Sequence, residues 1–386
     1  MRPQPIIAGM IAALVGFASS FTVVLAGLVA VGASESQASS GLLTLSVLMG
    51  AIGMWASWRY KLPISIAWST PGAALLVSSG QVDGGYRVAL GAFVVAGVLT
   101  VVAGLWRPLA EWIAMIPGPL ASALLAGVLL PVCLSPAKSM VQEPWLTAPM
   151  VIVWILLLRF ARRWAVPGAL VAAIASIAIG QPDSAVDFAP HWPQLALSTP
   201  IFQVSAIIGL GVPLFIVTMA SQNVAGMAVL RSFGYQPKLR PLLLATGAAT
   251  AVGAPLGAHG INLAALTAAL VAGPDADPDP DQRWIAAFAN GATYVVIGLG
   301  AGLATALVAS APPILISAVA GLALLGALAG ALSASMADPS MRDAAVVTLV
   351  VSASGITALG ISAPFWGLSA GLIVHGVMRF RAMARG

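Results

Sequence analysis

Two stretches decide how this chain is read: Ile64-Ser-Ile-Ala-Trp-Ser-Thr-Pro-Gly-Ala-Ala-Leu75 and Pro255-Leu-Gly-Ala-His-Gly-Ile-Asn-Leu-Ala-Ala-Leu266. Each is a short apolar run interrupted by Pro or Gly, and each ends in Ala-Ala-Leu. Aligned on those ends, Trp68 stands opposite His259, Ser69 opposite Gly260, Thr70 opposite Ile261 and Pro71 opposite Asn262. Proline in the first turn of a helix sacrifices no hydrogen bond, and Ser69 or Thr70 can cap that turn. The first stretch therefore predicts an extended segment followed by a half-helix. The glycines and Asn262 predict the same for the second.

The surroundings say what solvent these segments sit in. Of 386 residues 60% are hydrophobic and only 8% charged, a composition that excludes a water-exposed surface of that size. A hydrocarbon core of about 30 Å takes about 20 apolar residues per helix, and such runs follow one another almost end to end. The 40 glycines and 27 prolines fall mostly inside the runs, as close helix contacts and interrupted helices allow. The run from Ile6 to Val31 is too long for the core of a signal peptide and reads as a retained first span.

Spans are expected at 6–31, 37–57, 63–79, 86–106, 115–134, 146–162 and 165–181, then at 201–222, 239–255, 257–272, 284–309, 312–333, 342–360 and 363–380. The fold class is an all-α polytopic membrane protein of about fourteen spans. Between the halves lies a polar stretch, Gln181 to Thr199, with Asp183, Asp187 and His191. With the N-terminus inside, the cytoplasmic segments hold Arg2, Arg59, Lys61, Arg107, Arg159, Arg162, Arg163, Arg231, Lys238, Arg240, Arg283, Arg342, Arg379, Arg381 and Arg385. Only Arg87 and Lys138 of the 17 basic residues fall outside. That asymmetry supports an even number of spans with both termini cytoplasmic; the expected location is a bacterial inner membrane. It also explains the positive net charge without nucleic acid, since the basic residues line no single face.

Seven spans on each side of the loop suggest a duplicated unit, and an odd-numbered unit sits inverted when it is repeated. The expected organisation is a first repeat at 1–181, a periplasmic loop at 182–200 and a second repeat at 201–386. A half-helix that starts at mid-membrane leaves backbone N–H groups unpaired, so two of them meeting form a donor-rich pocket with no basic side chain. An anion suits such a pocket. The acidic residues map to loops or span ends, which argues against a pump built on buried carboxylates and against a cationic substrate.

Hydroxyl, amide and aromatic groups accompany the motifs. The first span carries Phe17-Ala-Ser-Ser-Phe-Thr22, including Ser20 and Phe21, and the eighth ends in Thr218-Met-Ala-Ser-Gln-Asn223, including Ser221, Gln222 and Asn223. Each can serve interhelical packing as well as binding. His259 is the histidine placed in the interior. It reads either as a proton-coupling or substrate-contacting group, or as a neutral ring satisfied by backbone carbonyls. Cys133 has no second thiol and reads as packing. The alternating aspartates of Gly273–Arg283 lack the glycine turn and terminal glutamate of a calcium loop and read as a solvated connector. No nucleotide-binding signature, metal set or catalytic triad is apparent, so neither a cofactor nor an enzymatic activity is expected.

The segments Ala67-Trp-Ser-Thr-Pro-Gly-Ala-Ala-Leu-Leu76, Thr218-Met-Ala-Ser-Gln-Asn223 and Gly260-Ile-Asn-Leu-Ala-Ala265 resemble the BenE family of benzoate transporters over nearly the whole chain. The resemblance implies an architecture similar to uracil and sulfate permeases: two inverted sets of seven spans. It further implies a core domain from 1–106 and 201–309 and a gate domain from 107–181 and 310–386. Substrate would lie between the third and tenth spans. Where nucleobase carriers of that architecture place buried glutamates, this chain has Ser221 and Ile261, which disfavours a nucleobase.

The resemblance thus implies alternating-access import of benzoate, or a related aromatic carboxylate, with a proton. The ring would meet Phe21 or Trp68 and the carboxylate Ser69, Thr70, Gly260 and Asn262, with His259 as the proton-coupling candidate. Benzoate, with a pKa of roughly 4, is an anion at neutral pH, so uptake against a negative-inside potential needs a co-transported cation. Another small anion as substrate, a passive anion channel, and a homodimer as the assembly state stay open.

Overall fold

The protein is described here by a computed structural model covering residues 3–106, 108, 115–180, 192–309, 311–359 and 361–383. The central-loop residues Asp183, Asp187 and His191, and the basic residues Arg2, Arg107 and Arg385, lie outside the described residues. The chain opens with α1 (Pro3–Ala30), α2 (Glu35–Tyr60), β1 (Ile66–Trp68), α3 (Thr70–Ser79) and α4 (Tyr86–Leu105). Next come α5 (Gly118–Cys133), α6 (Ser135–Gln142), α7 (Pro144–Phe160) and α8 (Ala165–Gly180). Then follow α9 (Val204–Ser232), α10 (Leu239–Gly253), β2 (Ile261–Leu263), α11 (Leu266–Ala272), α12 (Trp284–Gly298) and α13 (Ala301–Ala309). The chain closes with α14 (Pro313–Ser335), α15 (Arg342–Ala353), a hairpin of β3 (Thr357–Ala358) and β4 (Ile361–Ser362), and α16 (Ala363–Met383).

Among the described residues, seven helices are individually long and apolar enough to cross a membrane, and the bent pair formed by α12, with the turn before it, and α13 makes up to eight. Three predicted spans differ in shape from expectation. The eighth does not stop at residue 222 but runs on as α9 to Ser232. The eleventh is not one rod: α12 and α13 meet at a 57° bend, where Gly298 and Gly300 bracket a turn. The thirteenth ends at Ala353 instead of 360, because Gly355 (φ 68) and Leu359 (φ 56) take left-handed backbone and turn the chain into the β3–β4 hairpin.

Local chemistry sets several ends. Ser34 and Gln37 form a capping box on α2, Gln37 N donating to Ser34 Oγ at 3.3 Å and Ser34 N to Gln37 Oε1 at 2.9 Å. Inside α9, Pro213 has no N–H to offer the carbonyl of Gly209. The helix widens to a π turn at Ile207–Gly211, and the Ser362 hydroxyl donates to the Gly209 oxygen instead.

Packing relies on glycine where backbones touch. A Cβ on Gly50 of α2 would stand 2.5 Å from the carbonyl oxygen of Gly291 on α12, and one on Gly291 would stand 2.6 Å from that of Gly50. α4 and α10 cross in the same way: a Cβ on Gly97 or Gly247 would lie 2.8 Å from the other's oxygen. In lipid, where apolar burial gives little drive for helices to associate, such close approach supplies the dispersion contacts that hold them. The main buried core joins Phe21, Leu25, Leu45, Trp68, Leu75, Phe93, Phe215 and Ile261, so β1 and β2 lie inside it. A second cluster, around Met150, Ile177 and Leu322, joins α7, α8 and α14.

Candidate functional site

β1 and β2 pair antiparallel, Ile66 with Leu263, Ala67 with Asn262 and Trp68 with Ile261. The ladder extends by one bond at each end: Ser69 N donates to Gly260 O and Ala264 N to Ser65 O, both at 2.9 Å. Extended backbone inside a membrane protein must find partners for its polar groups within the protein. On the outer edge of β2 two side chains supply them. Thr250 Oγ1 accepts from Ile261 N at 2.9 Å, and Asn223 Oδ1 accepts from Leu263 N at 3.0 Å.

Ser69 caps α3 as expected, its Oγ accepting from Gly72 N at 3.0 Å with Pro71 in the first turn. The same hydroxyl lies 2.8 Å from Thr218 Oγ1 on α9. His259 reaches the Ser69 carbonyl oxygen through Nε2 at 3.0 Å. A carbonyl only accepts, so Nε2 carries the proton in this contact, and buried Nδ1 has no hydrogen-bond partner among the described residues. Phe93 presents to the imidazole edge-to-face, with centroids 6.2 Å apart.

The second half-helix departs from the sequence alignment. Asn262 is not at a helix start; it sits mid-strand opposite Ala67, and α11 begins at Leu266. Matching the Ala-Ala-Leu ends had set Pro71 against Asn262. The strands show that the helix begins four residues later: Gly257 (φ 100) closes the 3-10 turn Ala254–Leu256, and the chain runs without helix through Gly260 into β2. Ala265 occupies the N-cap position and has no side-chain acceptor. With only seven residues, α11 offers a weaker dipole than the ten-residue α3. Beside it, Ser65 Oγ, Thr267 Oγ1 and Asn290 Oδ1 form a buried chain of contacts at 2.7 and 3.2 Å.

An aromatic wall stands against the crossing. Phe17 and Phe21 stack at 5.2 Å, Phe17 meets Trp68 edge-on at 5.5 Å, and Tyr294 lies 6.2 Å from Trp68. Ser20 is part of this wall: its Oγ accepts from Trp68 Nε1 at 2.9 Å and donates to Gly16 O at 3.0 Å, which fixes the indole. Gly260 keeps space open, since a Cβ there would approach Ser69 Cβ at 3.2 Å and Thr218 Oγ1 at 3.8 Å.

The predicted residues thus divide. Ser20, Phe21, Trp68, Ser69, Thr70, His259, Gly260 and Asn262 gather at the crossing. Asn223 is there too, with its amide committed to β2 and to Met219 Sδ. Ser221 and Gln222 lie half-buried in a π turn of α9, and the Ser221 hydroxyl bonds Val217 O of its own helix at 2.5 Å. The sequence reading left Thr218, Thr250, Phe17 and Tyr294 out of the site. Phe17 was legible as the i−4 neighbour of Phe21; the other three depend on which helix packs where. A cavity of about 400 Å³ lies elsewhere, between α1 and α11 from Pro3 and Asp275 to Val15. The crossing itself is packed, with Trp68, Ser69, Asn223, His259 and Asn262 all buried.

Chemically, the crossing combines a capped helix start, a ring N–H, hydroxyls and a face of aromatic rings, and among the described residues no Asp, Glu, Lys or Arg joins them. Among the described residues the buried members of those four types are Asp277 and Arg283, in a loop.

Comparison with known proteins follows the same lines. The family model BenE, described as benzoate membrane transport protein, matches residues 1–377. The chain is 38% identical over 385 residues to the inner membrane protein YdcO of Escherichia coli, covering 98% of this chain and 97% of that protein. It is 30% identical over 374 residues to the benzoate membrane transport protein of Acinetobacter baylyi, covering 96% and 94%. Among solved structures, the transmembrane domain of the cyanobacterial bicarbonate transporter BicA matches with a TM-score of 0.64 at 14% identity, covering 96% of this chain and 98% of that one. The SLC26A9 structure matches with a TM-score of 0.63 at 14% identity, covering 98% and 66%. At that identity the likeness is one of fold.

Proposed function

The chain belongs to the BenE family of membrane transport proteins, and from that premise we propose that it imports benzoate, or a closely related aromatic carboxylate, together with a proton by alternating access. The observation that carries this reading is the juxtaposition of the Ser69-capped start of α3 with the Phe17–Phe21–Trp68 wall, in a site free of fixed charge. The helix start favours a carboxylate by about 0.3–1 kcal/mol at exposed sites and up to about 2 when partly buried. The rings accept an aryl group. A smaller, fully hydrated anion would gain from the helix start alone.

The alternating-access part of the reading draws on internal symmetry. Gly50 precedes Gly247 by 197 positions, Ala67 precedes Asn262 by 195, and Gly97 precedes Gly291 by 194. The contact of α2 with α12 at Gly50 and Gly291 is therefore the counterpart of that between α10 and α4 at Gly247 and Gly97. A near-constant offset for two helix crossings and one strand pair supports two inverted repeats of seven spans, 1–181 and 201–386, joined by a periplasmic loop at 182–200. In this reading residues 1–106 and 201–309 form the core that carries the site, and 107–181 and 310–386 form the gate. The membrane is a bacterial inner membrane and both termini are cytoplasmic. Nothing in the site requires a second copy, since both strands and the aromatic wall come from one chain.

His259 is the group assigned to the proton, because Nδ1 is buried without a partner and no carboxylate competes at the crossing. Proteoliposomes with an imposed inward proton gradient test the whole reading. Labelled benzoate should accumulate above equilibrium, and an uncoupler should abolish the accumulation. Uptake indifferent to the gradient refutes symport; gradient-driven accumulation of labelled bicarbonate or sulfate, with none of labelled benzoate, moves the substrate to another anion.

A further inference from the structure

The segment Gly273–Arg283 joins α11 to α12 and is more than a solvated connector. Pro274, Asp275, Asp279, Asp281 and Gln282 face outward, whereas Ala276, Asp277 and Arg283 are buried. Arg283 donates from Nη1 to the oxygen of Ala272, the last residue of α11, at 3.0 Å, and from Nε to Asp277 O at 2.7 Å. Asp277 Oδ1 in turn accepts from Asp279 N at 2.8 Å. Other elements converge here. Tyr235, just beyond α9, donates its hydroxyl to Pro280 O at 2.8 Å, Gln4 of α1 donates to Asp275 O at 3.3 Å, and Lys61 at the end of α2 sits 3.7 Å from the ring centroid of Trp284.

A helix of seven residues is marginal alone, and its last four carbonyls have no partner within it. A buried guanidinium at that end supplies a donor with a fixed fork geometry and a charge that complements the helix terminus. At the other end α11 continues, through two residues, into β2. The position of β2 along its own axis therefore depends on where the far end of α11 is fastened.

We infer that Arg283 is a positioning residue for the substrate site, anchoring α11 so that Asn262 and Leu263 keep their register against Ile66 and Ala67. The inference rests on the reading of the crossing as that site. Arg283 touches no substrate; it acts through the half-helix.

The test uses the full chain in lipid nanodiscs and proteoliposomes, with Arg283→Gln and Arg283→Lys. Hydrogen exchange is followed on Ile261–Ala272 and, as an internal control, on Thr70–Ser79. With Arg283→Gln, exchange in α11 should rise at least tenfold while α3 stays within twofold. The benzoate KM should rise at least fivefold with Vmax within twofold, and Arg283→Lys should fall between in both measurements. Unchanged exchange in α11, an equal rise in α3, or an unchanged KM despite a loosened α11 each overturns the inference. Wild-type protein that moves no benzoate refutes the proposed substrate instead, and the exchange comparison then decides the anchor by itself.

Discussion

Replacing Asn223 with leucine separates two roles that its position allows. In the structure the side chain terminates the free edge of β2, Oδ1 accepting from Leu263 N at 3.0 Å, while Nδ2 makes a contact with Met219 Sδ at 3.3 Å. Leucine keeps the branched outline of asparagine with bulkier ends, so no cavity opens and the chief loss at this buried position is polar. What remains is a buried backbone N–H with no acceptor, which costs about 1–3 kcal/mol. The sulfur contact adds little. Asn223→Asp keeps an acceptor for Leu263 and is the control for that bond, although it brings a carboxyl group into the core. Thermal unfolding in detergent, followed by loss of the monodisperse size-exclusion peak, should show destabilisation of that size for leucine, and amide exchange at Leu263 should accelerate. Adding Thr250→Val removes the neighbouring acceptor for Ile261, which lies 2.9 Å away, and the two effects should couple because both act on one three-residue strand. If Asn223→Leu leaves stability and Leu263 exchange unchanged while benzoate affinity collapses, the strand-edge account is wrong and Asn223 is a substrate ligand.

Three further outcomes are expected. His259→Gln retains an N–H for the Ser69 carbonyl but cannot titrate; it should leave a folded protein whose benzoate accumulation no longer follows the proton gradient, and unchanged gradient-driven accumulation removes His259 as the proton carrier. Gly50→Ala places a methyl 2.5 Å from the Gly291 oxygen and should destabilise by about 1–3 kcal/mol, whereas Gly326→Ala in α14, with no atom within 4 Å, should be neutral or stabilise by up to about 1 kcal/mol; equal midpoints in thermal unfolding would contradict the crossing. Tyr235 lies outside the spans, and burial raises its phenol pKa above the usual value, opposed by the nearby Arg283. The hydroxyl bond to Pro280 therefore contributes fully below about pH 10 and is lost as pH rises through the raised folded value. Proteolytic susceptibility of the 273–283 segment should climb there in wild type, and Tyr235→Phe should show it already at neutral pH, with no further phenol-linked step.

Composition and hydropathy made the helical membrane fold legible, because lipid admits few alternatives for a chain so poor in charge. The Ser-Thr-Pro-Gly run of the first motif was equally legible: proline in the first turn and a serine acceptor before it are local signals, and Ser69 caps α3 as the residues require. The second motif misled because its signal is glycine, which marks turns, caps and close approach alike; only the pairing with Ala67 shows that Asn262 is in a strand. Thr218, Thr250 and Tyr294 could not be read, since what makes them part of the site is the choice of neighbouring helix. The 57° bend after Gly298 escaped for a related reason: a glycine inside an apolar run is compatible with a straight span or a broken one.

The glycine crossings bear on how this architecture records itself in related sequences. At Gly50 and Gly291 the obstacle to a side chain is the partner's carbonyl oxygen, at 2.5 and 2.6 Å, and at Gly97 and Gly247 it is again backbone, at 2.8 Å or less. No exchange of residue at one member of a pair makes room at the other, because the obstructing atom belongs to every amino acid. Compensating changes are therefore unavailable, and each position should hold fixed across relatives instead of drifting in step with its partner. These backbone contacts of α2 with α12 and of α4 with α10 would then leave almost no trace in correlated substitution, while looser side-chain contacts nearby would dominate it.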